Sequence, residues 1–387
     1  MRHRPEVADV IAQAGAAYQA RYRTSAAQRR ILHALVRCRT AALGGHHQRC
    51  TQCGHQVLAY NSCRNRHGPT CQGSARARWL AARAGELLPV PYFHVVFTLP
   101  GPLGPLALQN QRLVYGMVFR AAATTLRTIG RDPKHLGADL GFLAVLHTWG
   151  QTLQHHPHVH CVVPGGGLAC DGSSWVACRP HFLLPVRVLS RSFRHRFLRL
   201  LRVARRQGKL AYHGQLAPLA DPTAWARWVH GLKRTEWVVY AKPPFGGARQ
   251  VLKYLARYTH RVAIANQRLV AVDEGHVTFR WKDYAHGHRW RTMTLDPVEF
   301  LRRFLLHTLP RGLQRIRHYG LLANRRRTTA LAHCADLLGH HPDAAEPSAA
   351  PDLASPPTCP ACGAGPLVLV AILAPDPQTA PLPWDTS

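Results

Sequence analysis

Residues 142–168, FLAVLHTWGQTLQHHPHVHCVVPGGGL, hold the pattern from which we interpret the fold. An apolar run leads into a polar turn and then into a second apolar run that ends in three glycines, which predicts two β-strands joined by a turn. Side chains alternate between the two faces of a strand, so His158 and His160 share one face while Val159 points to the other. Two imidazoles held side by side on a strand can bind a divalent metal ion.

This histidine pair alone leaves two interpretations open. The chain has 26 histidines in 387 residues, and random placement would give roughly two His-X-His pairs, so the motif needs supporting context. The sequences HPH at 156–158 and HGH at 286–288 are further pairs of this kind. A strand histidine pair without a metal is therefore as good an interpretation as a metal site until other features are considered.

Size and composition predict a globular protein of two or three domains. Apolar residues make up 46% of the chain, and no run reaches the ~18 consecutive apolar residues of a membrane span. The first ten residues, MRHRPEVADV, lack the apolar core of an export signal. We therefore expect a cytoplasmic protein that does not associate with membranes.

Basic residues outnumber acidic ones by 50 to 19, which gives a formal net charge of +31. Residues 1–327 hold all 50 basic residues and 13 of the acidic ones, a net charge of +37. A positive field of this size favours a polyanionic partner, and nucleic acid is the obvious one. A GC-rich genome would explain a preference for arginine over lysine, but it would not explain the excess over acids.

Most of the eleven cysteines lie in clusters, and without an export signal metal ligation is favoured over disulfides. The motif CTQCG at 50–54 is typical of a zinc knuckle, in which two thiolates flank a tight turn and a glycine follows. Tetrahedral zinc needs four ligands. The predicted set is Cys50, Cys53, Cys63 and Cys71, with His67 as a further candidate.

Beyond Arg327 the composition changes to proline, alanine and aspartate, which predicts a loose tail over residues 328–387. The motif CPACG at 359–363 interrupts this tail. It has no obvious second pair of ligands, and the nearby candidates are Cys334, His340 and His341.

Tyr254 and Tyr258 stand four residues apart in LKYLARYTH, on a helix predicted over 248–260. This spacing places both phenols on one face of the helix. A tyrosine can attack a phosphodiester and hold the DNA end as a covalent phosphotyrosine. A packed aromatic pair is the alternative, since YQARY at 18–22 has the same spacing. The histidine pair, the basic charge and the scarcity of carboxylates favour the nucleophile interpretation over a carboxylate-based nuclease.

Four segments in order carry a resemblance to a known family: the cysteine-rich knuckle, FTLP at 97–100, HTWGQTLQHHPHVHCVVPGGG at 147–167 and KYLARYTHRVAIANQRL at 253–269. They resemble the two-tyrosine rolling-circle transposases of insertion-sequence family 91, which belong to the His-hydrophobe-His (HUH) single-strand nucleases. The resemblance runs from about residue 28 to residue 327. The histidine and tyrosine segments are specific to the family, and the knuckle is less so.

The resemblance implies a catalytic metal site. His158 and His160 match the family's metal-binding pair. The superfamily adds a third polar ligand from a neighbouring strand, for which Gln151 is our candidate and His156 its rival. The implied cofactors are Mg²⁺ or Mn²⁺ for catalysis and Zn²⁺ for structure.

The resemblance also implies an α+β fold, in which a central antiparallel sheet carries the histidines and a packed helix carries Tyr254 and Tyr258. A helical and zinc-knuckle module at 1–88 would dock DNA, the nuclease domain would span 89–327, and the tail would follow at 328–387. The implied activity is metal-dependent nicking and rejoining of DNA at transposon ends through a 5′-phosphotyrosine. The implied partners are single-stranded and hairpin DNA at the bacterial nucleoid.

At one position the chain departs from the family. The family's second knuckle has the pattern S-C-x-x-R-H-C-P-x-C, whereas this chain has SCRNRHGPTC at 62–71, with Gly68 where a cysteine is expected. A zinc site here would lose a ligand, shift to His67 or be lost. Two alternative functions stay open: a plasmid-type rolling-circle replication initiator with the same chemistry, and a decayed copy that binds DNA without cleaving it.

Overall fold

The structure is a computed structural model that describes residues 4–242, 250, 252, 256, 262–273, 275–284, 286–339 and 357–376. The helices in these residues are α1 (Val7–Arg21), α2 (Ala26–Val36), α3 (Gly73–Ala84), α4 (Gly104–Gln109), α5 (Gln111–Arg131), α6 (Val186–Arg206), α7 (Pro222–Arg234), α8 (Pro297–Leu305) and α9 (Arg327–Leu337). The strands are β1 (Gly45–Cys50), β2 (Gln56–Tyr60), β3 (Tyr92–Thr98), β4 (Ala138–Asp139), β5 (Phe142–Trp149), β6 (His155–Pro164), β7 (Gly166–Ala169), β8 (Trp175–Ala177), β9 (Val239–Lys242), β10 (Leu269–Asp273), β11 (His276–Asp283), β12 (Arg289–Leu295), β13 (Ile316–Tyr319) and β14 (Leu367–Leu373). Helices and antiparallel sheets together confirm the predicted α+β class.

Helices α1 and α2 open the described part of the chain. Ser25 begins α2 with a capping box, because its hydroxyl accepts a hydrogen bond from Gln28 N and the Gln28 side chain accepts one from Ser25 N. Helix α1 packs on α8, and Ile11 and Phe300 belong to the buried cluster that these helices share. The amino-terminal helices are therefore joined by a common core to residues far along the chain.

A five-stranded antiparallel sheet in the order β13-β5-β6-β3-β9 forms the centre of the molecule. One face of this sheet, which includes Val159 and Cys161 of β6, packs in the main core together with residues of α5 and α6. Because side chains alternate along β6, His158 and His160 lie on the opposite face. This sheet confirms the two strands predicted within residues 142–168 and extends them by three more.

Three smaller sheets surround the central one: β10-β11-β12, β4-β7-β8 and β14-β1-β2. Strands β10 and β11 pair antiparallel, with Asp273 opposite His276. Among the described helices, none combines the length and apolar character that crossing a bilayer requires.

The prediction of a loose tail after residue 327 is wrong for the tail residues that the structure describes. Helix α9 buries Cys334 in a cluster with Leu88 and Leu321. Strand β14 pairs antiparallel with β1, so a strand from the tail belongs to the sheet of the amino-terminal module. Composition could not predict this pairing, because it depends on a partner strand more than 300 residues earlier in the chain.

Candidate functional site

Three histidines meet on the face of the central sheet that lies opposite α5 and α6. His158 and His160 lie on β6, and His147 lies on β5 directly opposite His158. One ring nitrogen from each histidine lies within 4.8 Å of those from the other two. The ring centroids of His147 and His160 are 4.2 Å apart, and those of His158 and His160 are 4.7 Å apart. Three imidazoles that converge in this way can bind one metal ion.

Hydrogen bonds orient two of these rings. His158 Nδ1 lies 2.6 Å from the carbonyl oxygen of His156. Because a carbonyl only accepts, Nδ1 carries the proton and the lone pair is on Nε2. His160 Nδ1 lies 2.7 Å from Nε2 of His94 on β3, and the two rings are stacked. When Nδ1 of His160 donates to His94, the Nε2 lone pair of His160 is likewise available to a metal, and such outer partners are typical of metal-binding histidines.

Burial keeps these imidazoles neutral. Desolvation lowers the pKa of His158 to about 3 and that of His94 to about 4. The pKa values of His147 and His160 are lowered well below the usual range, first by desolvation and then by the charges of neighbouring histidines. A protonated imidazole cannot ligate a metal. The cluster therefore presents metal-binding lone pairs at neutral pH.

We expect the stability of the metal-free protein to fall as the pH is lowered from about 6.5 towards 3. Outside the cluster, burial lowers the pKa of His67 and of His307 to about 3. An unfolded histidine has a pKa of about 6.5, so in this window the unfolded state binds more protons. Above the unfolded-state pKa of about 6.5, neither histidine reduces the stability. As the pH falls from there towards the folded-state pKa of about 3, each histidine lowers the free energy of unfolding by up to about 1.4 kcal/mol per pH unit.

Urea unfolding midpoints measured between pH 7 and pH 4 with a chelator present test this expectation. His307→Gln should make the dependence on pH shallower. His276 is exposed, so His276→Gln is the matched control and should leave the slope unchanged. An equal slope in wild type and His307→Gln would contradict the assignment to His307.

An arginine-lined cleft of about 540 Å³ lies between α2, the second knuckle and the segment after α8. Its basic residues are Arg30, Arg66, Arg311 and Arg315. Arg315 is only 2% exposed, and burial lowers its pKa to about 9. Its charge lowers the pKa of both His67, which lines the cleft, and His147. The carbonyl oxygen of Arg315 accepts a hydrogen bond from Leu146 N at 2.8 Å, next to His147, so the cleft adjoins the histidine cluster. The described lining residues of the cleft include no carboxylate.

Gln151 and its rival His156 stay predictions as the third metal ligand, and the structure shows where each of them lies. Gln151 lies in the turn between β5 and β6, where its Oε1 faces the backbone N of Lys282 at 3.5 Å. His156 is exposed and contributes its carbonyl oxygen to His158. The third member of the cluster is His147, which the sequence motifs did not indicate. The pairing of β5 with β6 shifts its register between His147 and Trp149, so the length of the turn alone does not predict that residue 147 lies opposite residue 158.

The predicted nucleophiles Tyr254 and Tyr258 lie outside the described residues. Of the helix predicted over 248–260, the structure describes residues 250, 252 and 256 as helical, and Leu252 and Ala256 are buried. The tyrosine assignment stays a prediction from the sequence.

The cysteines form two groups among the described residues, and not the single four-ligand set that we predicted. The first group joins Cys50 and Cys53 to Cys359 and Cys362. The second group consists of Cys38, Cys63 and Cys71. His67 belongs to neither, and its ring packs edge-on against Phe304 at a centroid distance of 5.6 Å. The pairing of β1 with β14, which local spacing does not reveal, separates the predicted ligands into two sites.

The second group has three thiols, and Gly68 lies next to one of them, Cys71. Cys71 Sγ lies 3.3 Å from Cys38 Sγ and 3.5 Å from Cys63 Sγ. A Cβ placed on Gly68 would lie 2.9 Å from Cys71 Sγ. A side chain at position 68 would therefore begin beside the sulfur of Cys71. The thiols present fit zinc, for which sulfur is a preferred ligand, but this chain offers three of them and not four.

Comparisons with known proteins show that this chain is similar to transposases and to a transposase zinc-binding domain. A family model described as "Transposase zinc-binding domain" matches residues 10–99, and one described as "Putative transposase" matches residues 141–329. The chain is 54% identical to "Putative transposase y4qJ" of Sinorhizobium fredii, with 100% of both chains covered. It is 29% identical to "Transposase for insertion sequence element IS801" of Pseudomonas savastanoi pv. phaseolicola, over 75% of this chain and 69% of that protein. No solved structure matches.

Proposed function

This chain belongs to the transposases of insertion-sequence family 91, and on that premise we propose that it nicks and rejoins single-stranded DNA at transposon ends in rolling-circle transposition. The observation that carries the proposal is the convergence of His147, His158 and His160 beside an arginine-lined cleft. The histidines support a metal-dependent step, and the cleft supports binding of a DNA strand. On this proposal the protein acts at the nucleoid.

The donor set fits a first-row transition metal better than Mg²⁺, because imidazole nitrogen suits such ions while Mg²⁺ prefers oxygen. Of the two ions expected from the family resemblance, Mn²⁺ is therefore the better match. Since the three ligands are neutral imidazoles, the full charge of a bound divalent ion would be available to polarise the scissile phosphate. His94 orients the ring of His160, and the His156 carbonyl orients the ring of His158. These hydrogen bonds leave Nε2 of each ring available to bind the metal.

Tyr254 or Tyr258 is the proposed nucleophile. Its phenolic oxygen forms a bond to the scissile phosphorus while the bond from phosphorus to the 3′ oxygen breaks. The phenol loses its proton, and the released 3′ oxygen gains one. The products are a 5′-phosphotyrosine and a free 3′-hydroxyl group, and attack by a second 3′-hydroxyl reverses the step and rejoins DNA. The second tyrosine can process another strand while the first is occupied.

A second arginine-rich surface supports a nucleic-acid partner longer than a few nucleotides. A groove of about 610 Å³ between α5 and α6 is lined by Arg120, Arg191, Arg196 and Arg199, and its described lining residues include no carboxylate. These helices pack against the sheet face opposite the histidines. Basic surfaces on both sides of the sheet suit a phosphate backbone that passes from one to the other, as single-stranded or hairpin DNA could.

A covalent-adduct assay tests the proposal. Purified protein with Mn²⁺ should form an SDS-stable adduct with a single-stranded oligonucleotide from a transposon end. Tyr254→Phe combined with Tyr258→Phe should abolish the adduct, because no phenolic oxygen is left to attack. Tyr18→Phe combined with Tyr22→Phe is the matched control with the same four-residue spacing, and it should form the adduct at the wild-type level.

Other outcomes would favour the alternatives. Unchanged adduct formation in the Tyr254/Tyr258 variant would contradict the tyrosine assignment. DNA binding without any adduct, whichever divalent metal is supplied, would indicate a copy that binds DNA without cleaving it. A preference for a plasmid replication origin over a transposon end would indicate a replication initiator.

A further inference from the structure

We propose that Cys50, Cys53, Cys359 and Cys362 bind one zinc ion that fastens the carboxy-terminal strand to the amino-terminal sheet. The matched zinc-binding family model ends at residue 99, so it does not include the second cysteine pair. The proposed site is structural, and it stands independently of the nicking reaction.

The distances between the sulfurs are those of a zinc site. Cys50 Sγ lies 3.7 Å from Cys362 Sγ, and Cys53 Sγ lies 3.7 Å from Cys359 Sγ. All four sulfurs lie within 4.8 Å of one another. Four sulfurs at the usual Zn–S distance of ~2.3 Å from one ion stand about 3.8 Å apart in a tetrahedron. A disulfide would need about 2.05 Å, so the thiols are spaced for a metal and not for oxidation to each other.

The two cysteine pairs have the same local structure. Backbone amides at Gln52 and Ala361 donate to Cys50 Sγ and Cys359 Sγ, each at 3.4 Å. In both motifs the glycine that follows the second cysteine has a positive φ, +71° at Gly54 and +68° at Gly363. Amide hydrogen bonds stabilise a negatively charged sulfur. Both motifs are therefore shaped as zinc knuckles, and each supplies half of the ligands.

The backbone brings the knuckles into contact. Strand β14 pairs with β1 in a register that places Leu367 opposite Cys50. Gly365 allows the closest approach, because a Cβ at this position would lie 2.5 Å from Cys50 Sγ and 2.7 Å from the Cβ of Gln52. A residue with a side chain at 365 would therefore push the second knuckle away from the first.

Few apolar contacts hold β14 in place without a metal. Leu369 and Ile372 are 56% and 74% exposed. The buried cluster at this site consists of Cys50, Cys359 and Leu367, with Val57 packed against it. A three-stranded sheet with so small a core is marginal by itself, and small folds of this kind commonly depend on a metal. Zinc would supply the stabilisation that apolar burial does not.

Differential alkylation of the wild-type protein tests the site without any substitution. Cys53, Cys362 and Cys170 are all exposed, and Cys170 belongs to neither thiol group. In zinc-loaded protein, iodoacetamide should modify Cys53 and Cys362 at least about tenfold more slowly than Cys170, because zinc-bound thiolates are shielded. A chelator should remove this difference. Equal modification of the three residues in zinc-loaded protein would overturn the proposal.

Zinc content provides the second test. Cys359→Ser should contain one zinc atom per chain less than wild type, measured by mass spectrometry of the metal, whereas Cys170→Ser should contain the wild-type amount. Circular dichroism shows whether the Cys359→Ser variant is folded. If it is unfolded, the alkylation pattern of the wild-type protein decides whether the four cysteines bind zinc. Retention of all zinc in a folded Cys359→Ser protein would overturn the proposal. Because neither readout involves cleavage of DNA, failure of this inference and failure of the proposed function are distinguishable.

Discussion

Replacing His147 by alanine is expected to lower the rate of strand nicking by about a hundredfold, since a loss of about 3 kcal/mol of metal-dependent stabilisation corresponds to that factor. His147 provides one of the three ring nitrogens in the cluster and is 3% exposed. Without it, His158 and His160 would bind the ion with two ligands and weaker affinity. Single-turnover cleavage of a labelled transposon-end oligonucleotide, with Mn²⁺ titrated, measures both the rate and the metal requirement.

Gln151→Ala is the matched control for this prediction. Gln151 is four residues from His147, but its side chain faces the backbone of Lys282. We expect its replacement to change the nicking rate by less than about twofold, because it leaves the three converging imidazoles in place. The reverse result, with a large loss for Gln151→Ala and a small one for His147→Ala, would support Gln151 as the third ligand.

Gly320→Ala is expected to destabilise the protein by about 3 to 5 kcal/mol. Gly320 has φ of +61°, which a side chain disfavours, and a Cβ there would overlap the carbonyl oxygen of Leu140. That oxygen belongs to the backbone and cannot turn aside, so the chain must shift. Gly320 directly follows β13, which pairs with the strand that carries His147. Urea unfolding measures the change in the free energy of unfolding.

Gly208→Ala separates the effect of backbone conformation from that of the clash. Gly208 has φ of +62°, almost the same as Gly320, but a Cβ there would meet nothing within 4 Å. We expect its replacement to cost about 1 to 2 kcal/mol, which is the penalty of a left-handed alanine alone. Equal destabilisation by the two substitutions would show that the contact with Leu140 contributes little.

Helix starts are features that local signals in the sequence specify. Asp221 and Asp296 each precede a proline, and each carboxylate accepts backbone hydrogen bonds at the start of its helix, from Ala224 N in α7 and from Val298 N in α8. Such caps involve residues two or three positions apart, so the local sequence is enough to predict them. The same holds for the apolar periodicity of α1 and α2.

Long-range pairing was the part that the sequence left open. The proline and alanine content of the tail predicted a loose segment although residues 367–373, LVLVAIL, form an apolar run, and the strand that pairs with this run lies at the other end of the chain. Cys63 and Cys71 were grouped with Cys50 and Cys53 because they are close in sequence. The structure instead joins Cys50 to Cys362, across 312 positions.

By itself, the sequence determined that His158 and His160 share a face, because alternation along a strand depends only on the two-residue repeat of the backbone. It also determined a strongly basic chain with cysteines in metal-binding motifs. Only the tertiary structure decided that His147 completes the histidine cluster and that the two CxxC motifs meet. Those contacts depend on strand register and on the closure of long loops, which no local pattern of residues specifies.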